Sequence, residues 1–372
     1  MIDPCIFTQH SITDQPGSWA ERLSDLTPVH KAGNMWFKRE DAFAPLGYGG
    51  INGTKLRQLI WLVKRYRDAG GSAGLVSGAS VLSPQLAMGA AVSKHFEIPC
   101  TLAVGATHPD ACMRNPMVRL AVWLGAKLDF HAKTAYNPSL QQRCRTLLSS
   151  SKQGWFYLEY GITLDHAVHE DQAVLDFHRV GALQTQNIPD HITDLVIPAG
   201  SCNSATSILH GLAMDKPKPM LTDIRLVGIG PTKMRLISER LAVFEKLTGV
   251  NHRIWQPMFE TDLPSFAPQG EPRYRLHYDD LQGGRLVRYH TAIPFSYAGI
   301  VFHPTYEGKV MAWLSLCRRS LIKPTTLFWI IGSEPDLALL RPYLEKECGR
   351  CPTVAPVDDG SKHKDQECHL NT

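Results

Sequence analysis

The stretch Asp194-Leu195-Val196-Ile197-Pro198-Ala199-Gly200-Ser201-Cys202-Asn203-Ser204-Ala205-Thr206 sets a short apolar run directly ahead of a small-residue turn. The run reads as a buried strand, and a helical pattern follows it to about Leu212. A strand apolar on both faces belongs in a parallel sheet covered by helices. The same unit recurs outward in both directions. Across 54–67, apolar residues fall at Leu56, Leu59, Ile60, Val63 and Tyr66, which is helical spacing. Strands are predicted at 73–77, 100–104 and 127–130, with helices at 84–95, 116–124 and 140–149. Beyond the central stretch, 225–230 and 326–331 read as strands, and 234–247, 308–318 and 335–345 as helices. Residues 250–298 are rich in Pro, Gly, Tyr and His with weak periodicity, and read as long loops near the site.

The predicted fold class is therefore α/β: two domains with twisted, mostly parallel sheets covered by helices. Residues 1–54 plus 166–345 form the large domain, 55–165 the small one, and 346–372 a polar C-terminal tail. A chain of 372 residues has room for two domains. Apolar residues at 44% and charged residues at 20% are ordinary for a globular protein. A net charge of +4 allows an anionic ligand but is far below that of a dedicated nucleic-acid binder. No run approaches the roughly 18 apolar residues of a membrane span. The start has no basic and apolar leader pattern, and nine scattered cysteines suit a reducing compartment, so a cytoplasmic protein is expected. Membrane, collagenous, coiled-coil and disordered classes are excluded.

Three segments carry residues suited to chemistry. The first is Lys38-Arg39-Glu40-Asp41, followed by Gly49-Gly50-Ile51-Asn52-Gly53-Thr54-Lys55. Glycines ahead of a helix let the backbone bend sharply and approach a ligand. Lys55 at the helix start opposes the positive end of the helix dipole, which favours a lowered pKa and a nucleophilic amine. Taken alone, the fragment fits a solvated surface lysine at least as well. The second segment is Gly200 to Ala205, where small residues free backbone N–H groups for an anion; an ordinary strand–helix turn is the alternative. It matches neither the P-loop nor the dinucleotide glycine pattern. The third is Tyr297 to Lys309, in which Tyr306 and Glu307 meet at a helix start. Glu307 suits a simple cap or a cationic ring nitrogen.

Together these segments resemble the fold-type-II pyridoxal-phosphate enzymes, the tryptophan synthase β-like group, with the nearest likeness to aminocyclopropane-carboxylate deaminase and D-cysteine desulfhydrase. The likeness runs in order over most of 35–340. It implies a cofactor in the interdomain cleft, bound to Lys55 as an internal aldimine. It also implies a phosphate cup made by Gly200, Ser201, Cys202, Asn203, Ser204 and Ala205. Tyr306-Glu307-Gly308-Lys309 is similar to the deaminase version of the helix facing the pyridine. Glu307 would keep the ring nitrogen protonated and strengthen the ring as an electron sink. Tyr306 and, more weakly, Tyr297 would stand near the substrate. Relatives of this group are mostly homodimers, and a homodimer is expected.

Departures fall on the substrate side. Where the family has Ser-Asn-His or Ser-Asn-Gln, this chain has Ser83-Pro84-Gln85. Ser83 and Gln85 are retained as substrate contacts, but Pro84 has neither side-chain amide nor backbone donor. Gln58 stands where a second lysine-like residue is expected, and Gly332-Ser333-Glu334-Pro335 replaces a Gly-Gly. The expected activity is lyase chemistry at Cα of an amino-acid group, deamination or decarboxylation, on a substrate unlike the small family ones. One alternative resembles the diverged enzymes of DNA-hypermodifying bacteriophages, which decarboxylate an amino acid attached to thymine in DNA. Another is a non-catalytic cofactor binder. Cys348-Gly-Arg-Cys351, with His363, Cys368 and His369, reads as free thiols on a loose tail, and no metal is expected.

Overall fold

In a computed structural model, the described residues are 23–46, 51–105, 112–130, 137–150, 152, 154–164, 169–283, 288 and 291–334. In chain order, β1 (Val29–Ala32) and β2 (Met35–Arg39) precede α1 (Thr54–Asp68). Then β3 (Leu75–Ala79), α2 (Gln85–His95), β4 (Cys100–Val104), α3 (Pro116–Trp123), β5 (Lys127–Asp129), α4 (Asn137–Ser150) and β6 (Phe156–Leu158) alternate. The chain continues through α5 (Asp171–Ala182), β7 (Asp194–Ala199), α6 (Asn203–Met214), β8 (Asp223–Gly228), α7 (Met234–Thr248), β9 (Trp255–Pro257) and β10 (Tyr274–Asp280). It then forms β11 (Phe295–Tyr297), β12 (Ile300–Phe302), α8 (Glu307–Cys317) and β13 (Thr326–Ile330).

Two parallel sheets result. One is four-stranded, in the order β5-β4-β3-β6. The other is seven-stranded, in the order β1-β2-β13-β7-β8-β10-β9, and only its β1–β2 edge is antiparallel. The central strands β3, β4, β7 and β13 are buried along their whole length, as their apolar runs require. α1 presents Leu56, Leu59, Ile60 and Val63 to the core, each fully buried. A large aliphatic side chain so buried contributes roughly 1.5–3 kcal/mol. That face fastens the helix carrying Lys55.

Several elements escape the sequence patterns, and 250–298 requires a correction. That segment is not all loop: it holds β9, β10 and β11. Tyr274 and Leu276 on β10 are buried, whereas the residues between and after them are charged or polar. Those charges are neutralised across the sheet, Arg275 by Asp223 and Asp279 by Arg225. Cross-strand pairing of this kind supports a strand that its own composition disguises. β2 hides in the same way, because Lys38 is buried and donates to Thr27 O and Asn187 Oδ1. The helix expected at 335–345 and the cysteine-bearing tail lie outside the described residues.

Candidate active site

The C-terminal ends of β7, β8 and β13 meet the segment after β3 around a cleft. Parallel sheets place ligands at this end, where backbone groups and helix N-termini converge. Lys55, Gly200, Ser201, Cys202, Ser204, Ala205, Tyr306 and Glu307 all line it.

Lys55 reaches the cleft because of a forced approach. Gly53 caps α1 at φ +100°, and a Cβ there would lie 2.5 Å from Ile331 O. Thr54 N–H donates to that same carbonyl at 3.0 Å. Asn52 fastens the other side, accepting from Ser333 N–H at 2.9 Å and donating to Ser333 Oγ at 3.0 Å. Burial lowers the Lys55 amine to about 8, although Glu307 and Cys202 pull it upward. Beneath it, Glu40 accepts from the hydroxyls of Thr27 and Thr54 and lies 3.8 Å from the buried Arg57. The Lys38–Asp41 element is therefore scaffold under the lysine helix, outside the cleft.

At the opposite end, Cys202 adopts the left-handed conformation at φ +64° as β7 turns into α6. Thr206 N–H donates to Cys202 O at 2.9 Å, and the N–H groups of the first turn have no intrahelical acceptor. No side chain caps this end. The Cys202 thiol, pushed up to about 11 mainly by burial, stays uncharged. Asn203 is not among the cleft-lining residues. Its side chain donates to Gly161 O and Ile162 O and accepts from Arg240 Nη1 at 2.7 Å.

Glu307 opens α8 and is 2% exposed. Its Oε1 accepts from Ile331 N–H at 3.0 Å and Gly332 N–H at 3.3 Å. Its Oε2 is buried with no hydrogen-bond partner. Burial pushes the carboxyl up to about 8 against those two donors. The Tyr306 ring lies 6.0 Å from Lys55 Nζ, and the His303 ring lies 4.7 Å from Tyr306.

The remaining sequence candidates scatter. Ser83 lies beside the cleft, in a side pocket that shares Tyr306. Gln85 is turned away: its amide donates to Ser77 Oγ and Glu159 O and accepts from Gly161 N–H. In this structure it braces the loop around Gly161 and is not among the cleft-lining residues. Tyr297 is likewise displaced, since its hydroxyl accepts from Asn34 N–H and its ring packs 6.1 Å from Phe37. Asn34 precedes β2, and β2 lies parallel to β13, so Tyr297 sits at the end of the sheet remote from Ile331. Gln58 is buried and donates to Ser207 Oγ on α6, outside the cleft lining. Asn52, Met88 and His303 line the cleft although no sequence signal gave them a role. Proximity to Lys55 could have marked Asn52, and the three-residue spacing from Tyr306 could have marked His303.

These residues fit pyridoxal phosphate on their own chemistry. The partnerless Oε2 of Glu307 suits a protonated ring nitrogen, the buried amine suits the aldehyde, and the uncapped helix end suits a phosphate. No family model matches the chain. A curated relative, the O-seryl-dTMP PLP-dependent decarboxylase of Salmonella phage ViI, is 39% identical over 94% of this chain and 90% of its own length. An aminocyclopropane-carboxylate deaminase homologue of known structure superposes with TM-score 0.61 at 15% identity, covering 89% of this chain and 99% of its own. The processed threonine deaminase isoform 2 of Solanum lycopersicum gives 0.51 at 15% identity, over 93% and 90%. The chain belongs to the fold-type-II pyridoxal-phosphate enzymes, in the family of the phage decarboxylase. It is a pyridoxal-phosphate-dependent enzyme of the lyase class. Among the described residues, no helix is long and apolar enough to cross a membrane.

Proposed function

We propose that this enzyme removes CO2 from a serine joined through its side-chain oxygen to a thymidine nucleotide. The observation that carries this is the 39% identity, sustained over 94% of the chain, to a decarboxylase named for that substrate. In balance, R–O–CH2–CH(NH3+)–COO− and a proton give R–O–CH2–CH2–NH3+ and CO2.

Pyridoxal phosphate supplies an aldehyde that condenses with amines and a ring that withdraws electrons from Cα. Lys55 would hold it through its side-chain amine, and the same amine would deliver a proton to Cα of the substrate. A pKa near 8 leaves that amine both forms close to neutral pH. Backbone donors of Gly200 to Ala205, with the Ser201 and Ser204 hydroxyls, would hold the phosphate. Glu307 Oε2 would keep a proton on the ring nitrogen. Tyr306 walls the substrate side.

The preference for decarboxylation over deamination follows from the wall that Pro84 and Met88 give the cleft. Neither has a donor for a carboxylate, and the nearby Gln85 amide is already engaged. A poorly solvated carboxylate is destabilised relative to neutral CO2. A strongly withdrawing ring, secured by Glu307, also spreads the charge left at Cα, which disfavours expulsion of the β-oxygen.

The test is incubation of the holoenzyme with O-seryl-dTMP, read by mass spectrometry and CO2 capture. An aminoethoxy product is expected. Release of ammonia, or of the free hydroxymethyl nucleotide, speaks against decarboxylation. We take the natural substrate to be such a nucleotide within DNA, and the enzyme to work as a homodimer in a cytoplasm where that DNA is made. The +4 net charge supports the first point.

A further inference from the structure

Two buried amides beside the cleft turn away from it and grip the same short turn. Gln85 follows Pro84 at the start of α2, and Asn203 lies between Cys202 and Ser204 at the start of α6. Pro84, Cys202 and Ser204 line the cleft, whereas neither amide does. Gln85 Oε1 accepts from Gly161 N–H at 2.7 Å, and its Nε2 donates to Glu159 O at 3.0 Å. Asn203 Nδ2 donates to Gly161 O at 3.0 Å and to Ile162 O at 2.7 Å. The fully buried Arg240 sets the orientation of that amide, donating to Asn203 Oδ1 at 2.7 Å and to Leu164 O at 3.2 Å.

The turn between them is strained and crowded. Gly161 and Ile162 both take left-handed backbone, at φ +81° and +55°. A β-branched residue there is an outlier that its surroundings must hold in place. Gly161 also backs onto the cup, since a Cβ on it would lie 3.2 Å from Ser201 Cβ. One glycine thus abuts the cup at Ser201, hangs from α6 through Asn203 and is held by α2 through Gln85. The strand leading into the turn, β6, belongs to the four-stranded sheet, and α6 follows β7 of the seven-stranded one.

We infer that Gly161 is a joint through which the phosphate cup sets the position of the wall bearing Pro84 and Met88, with Gln85 and Asn203 as its positioning residues. The inference rests on the seat proposed above for the cofactor phosphate. A phosphate there orders the backbone of Gly200 to Ala205. Ser201 and Asn203 then fix Gly161, and Gly161 fixes Gln85, the neighbour of Pro84. Such coupling is reciprocal, so loosening Gln85 weakens the grip on the phosphate.

The test sets pyridoxal phosphate against pyridoxal, which supplies the same ring and aldehyde but leaves the cup empty. At saturation of the wild-type protein, the phosphate form is expected to slow hydrogen exchange further in peptides covering 200–206, 159–163 and 84–92 alike. Extra protection confined to 200–206 overturns the joint and leaves the phosphate seat standing. No extra protection at 200–206 removes the seat, and the joint with it. Gln85→Met deletes an amide that does not line the cleft. Its affinity for pyridoxal phosphate relative to pyridoxal, read from visible absorbance, is expected to fall at least tenfold. A lowered melting temperature with that ratio unchanged marks a merely structural brace and overturns the joint. Should Gln85→Met fail to fold, exchange in the wild-type protein decides.

Discussion

The Lys55 amine stands 6.0 Å from the centre of the Tyr306 ring, across the width of the cleft. A buried amine lowered to about 8 by desolvation is neutral over a far larger fraction of the neutral range than an ordinary lysine near 10.4. Only the neutral form attacks an aldehyde. The rate at which visible absorbance grows when pyridoxal phosphate is added to cofactor-free protein should therefore rise with pH to a midpoint near 8. Lys55→Ala should abolish both the absorbance and turnover. A midpoint near 10 would place the amine in solvent.

Glu307 gives a pH effect of definite sign. Without cofactor, its carboxyl is raised to about 8 by burial, against an ordinary value of 4.5. The folded chain thus binds this proton more tightly than the unfolded chain. Its contribution is complete below pH 4.5 and is lost as pH rises to about 8. Glu307→Gln should remove that loss from the melting curve of the cofactor-free protein. In the holoenzyme the same change should lower kcat on the order of 10²-fold, the scale of one preorganised electrostatic contact, with cofactor retained.

The opposite sign belongs to His210 and His252, stacked with Nδ1 to Nε2 at 2.8 Å beneath the Phe244 ring. Burial, then His252 and Arg179, lower His210 to about 3, and burial also lowers His252, against the opposing pull of Val250 O and Glu245. Stability from this neutral pair is complete above pH 6.5 and is lost progressively toward pH 3. Melting temperature should fall on acidification below 6.5, and His210→Gln should flatten that slope.

Gly53→Ala meets the Ile331 carbonyl at 2.5 Å in a backbone region that side chains avoid. A loss of about 1–3 kcal/mol is expected from the backbone strain, measured by urea unfolding. Because the clash displaces the start of α1, activity should fall more than stability alone accounts for.

A DNA-borne substrate makes binding depend on salt. The affinity for seryl-modified DNA should fall linearly with salt on logarithmic axes, with a slope set by the phosphates contacted. The affinity for the mononucleotide should change much less. Equal slopes would favour the free nucleotide as substrate.

Lys55, Glu307 and the Gly200–Ala205 turn were legible because each sits at a helix start, where a few adjacent residues define the geometry. The alternation of strands and helices was legible for the same local reason. Where Gln85 and Tyr297 turn was not legible, because only tertiary packing tells which way a side chain points. Gln85 bonds Ser77, Glu159 and Gly161, and Tyr297 bonds Asn34, all but Ser77 far off in sequence. β10 was hidden because its charges are cancelled by partners some fifty residues away, Asp223 and Arg225.

The end of β13 holds two reacting groups at once. Ile331 offers its carbonyl to the entry of the lysine helix and its N–H to Glu307, and Ser333 is clasped by Asn52. Nucleophile and ring partner thus share a single anchor, which fixes their separation from one strand end. The wall bearing Ser83, Pro84 and Met88 hangs from the other sheet, so a change of guest on that side leaves this anchor in place.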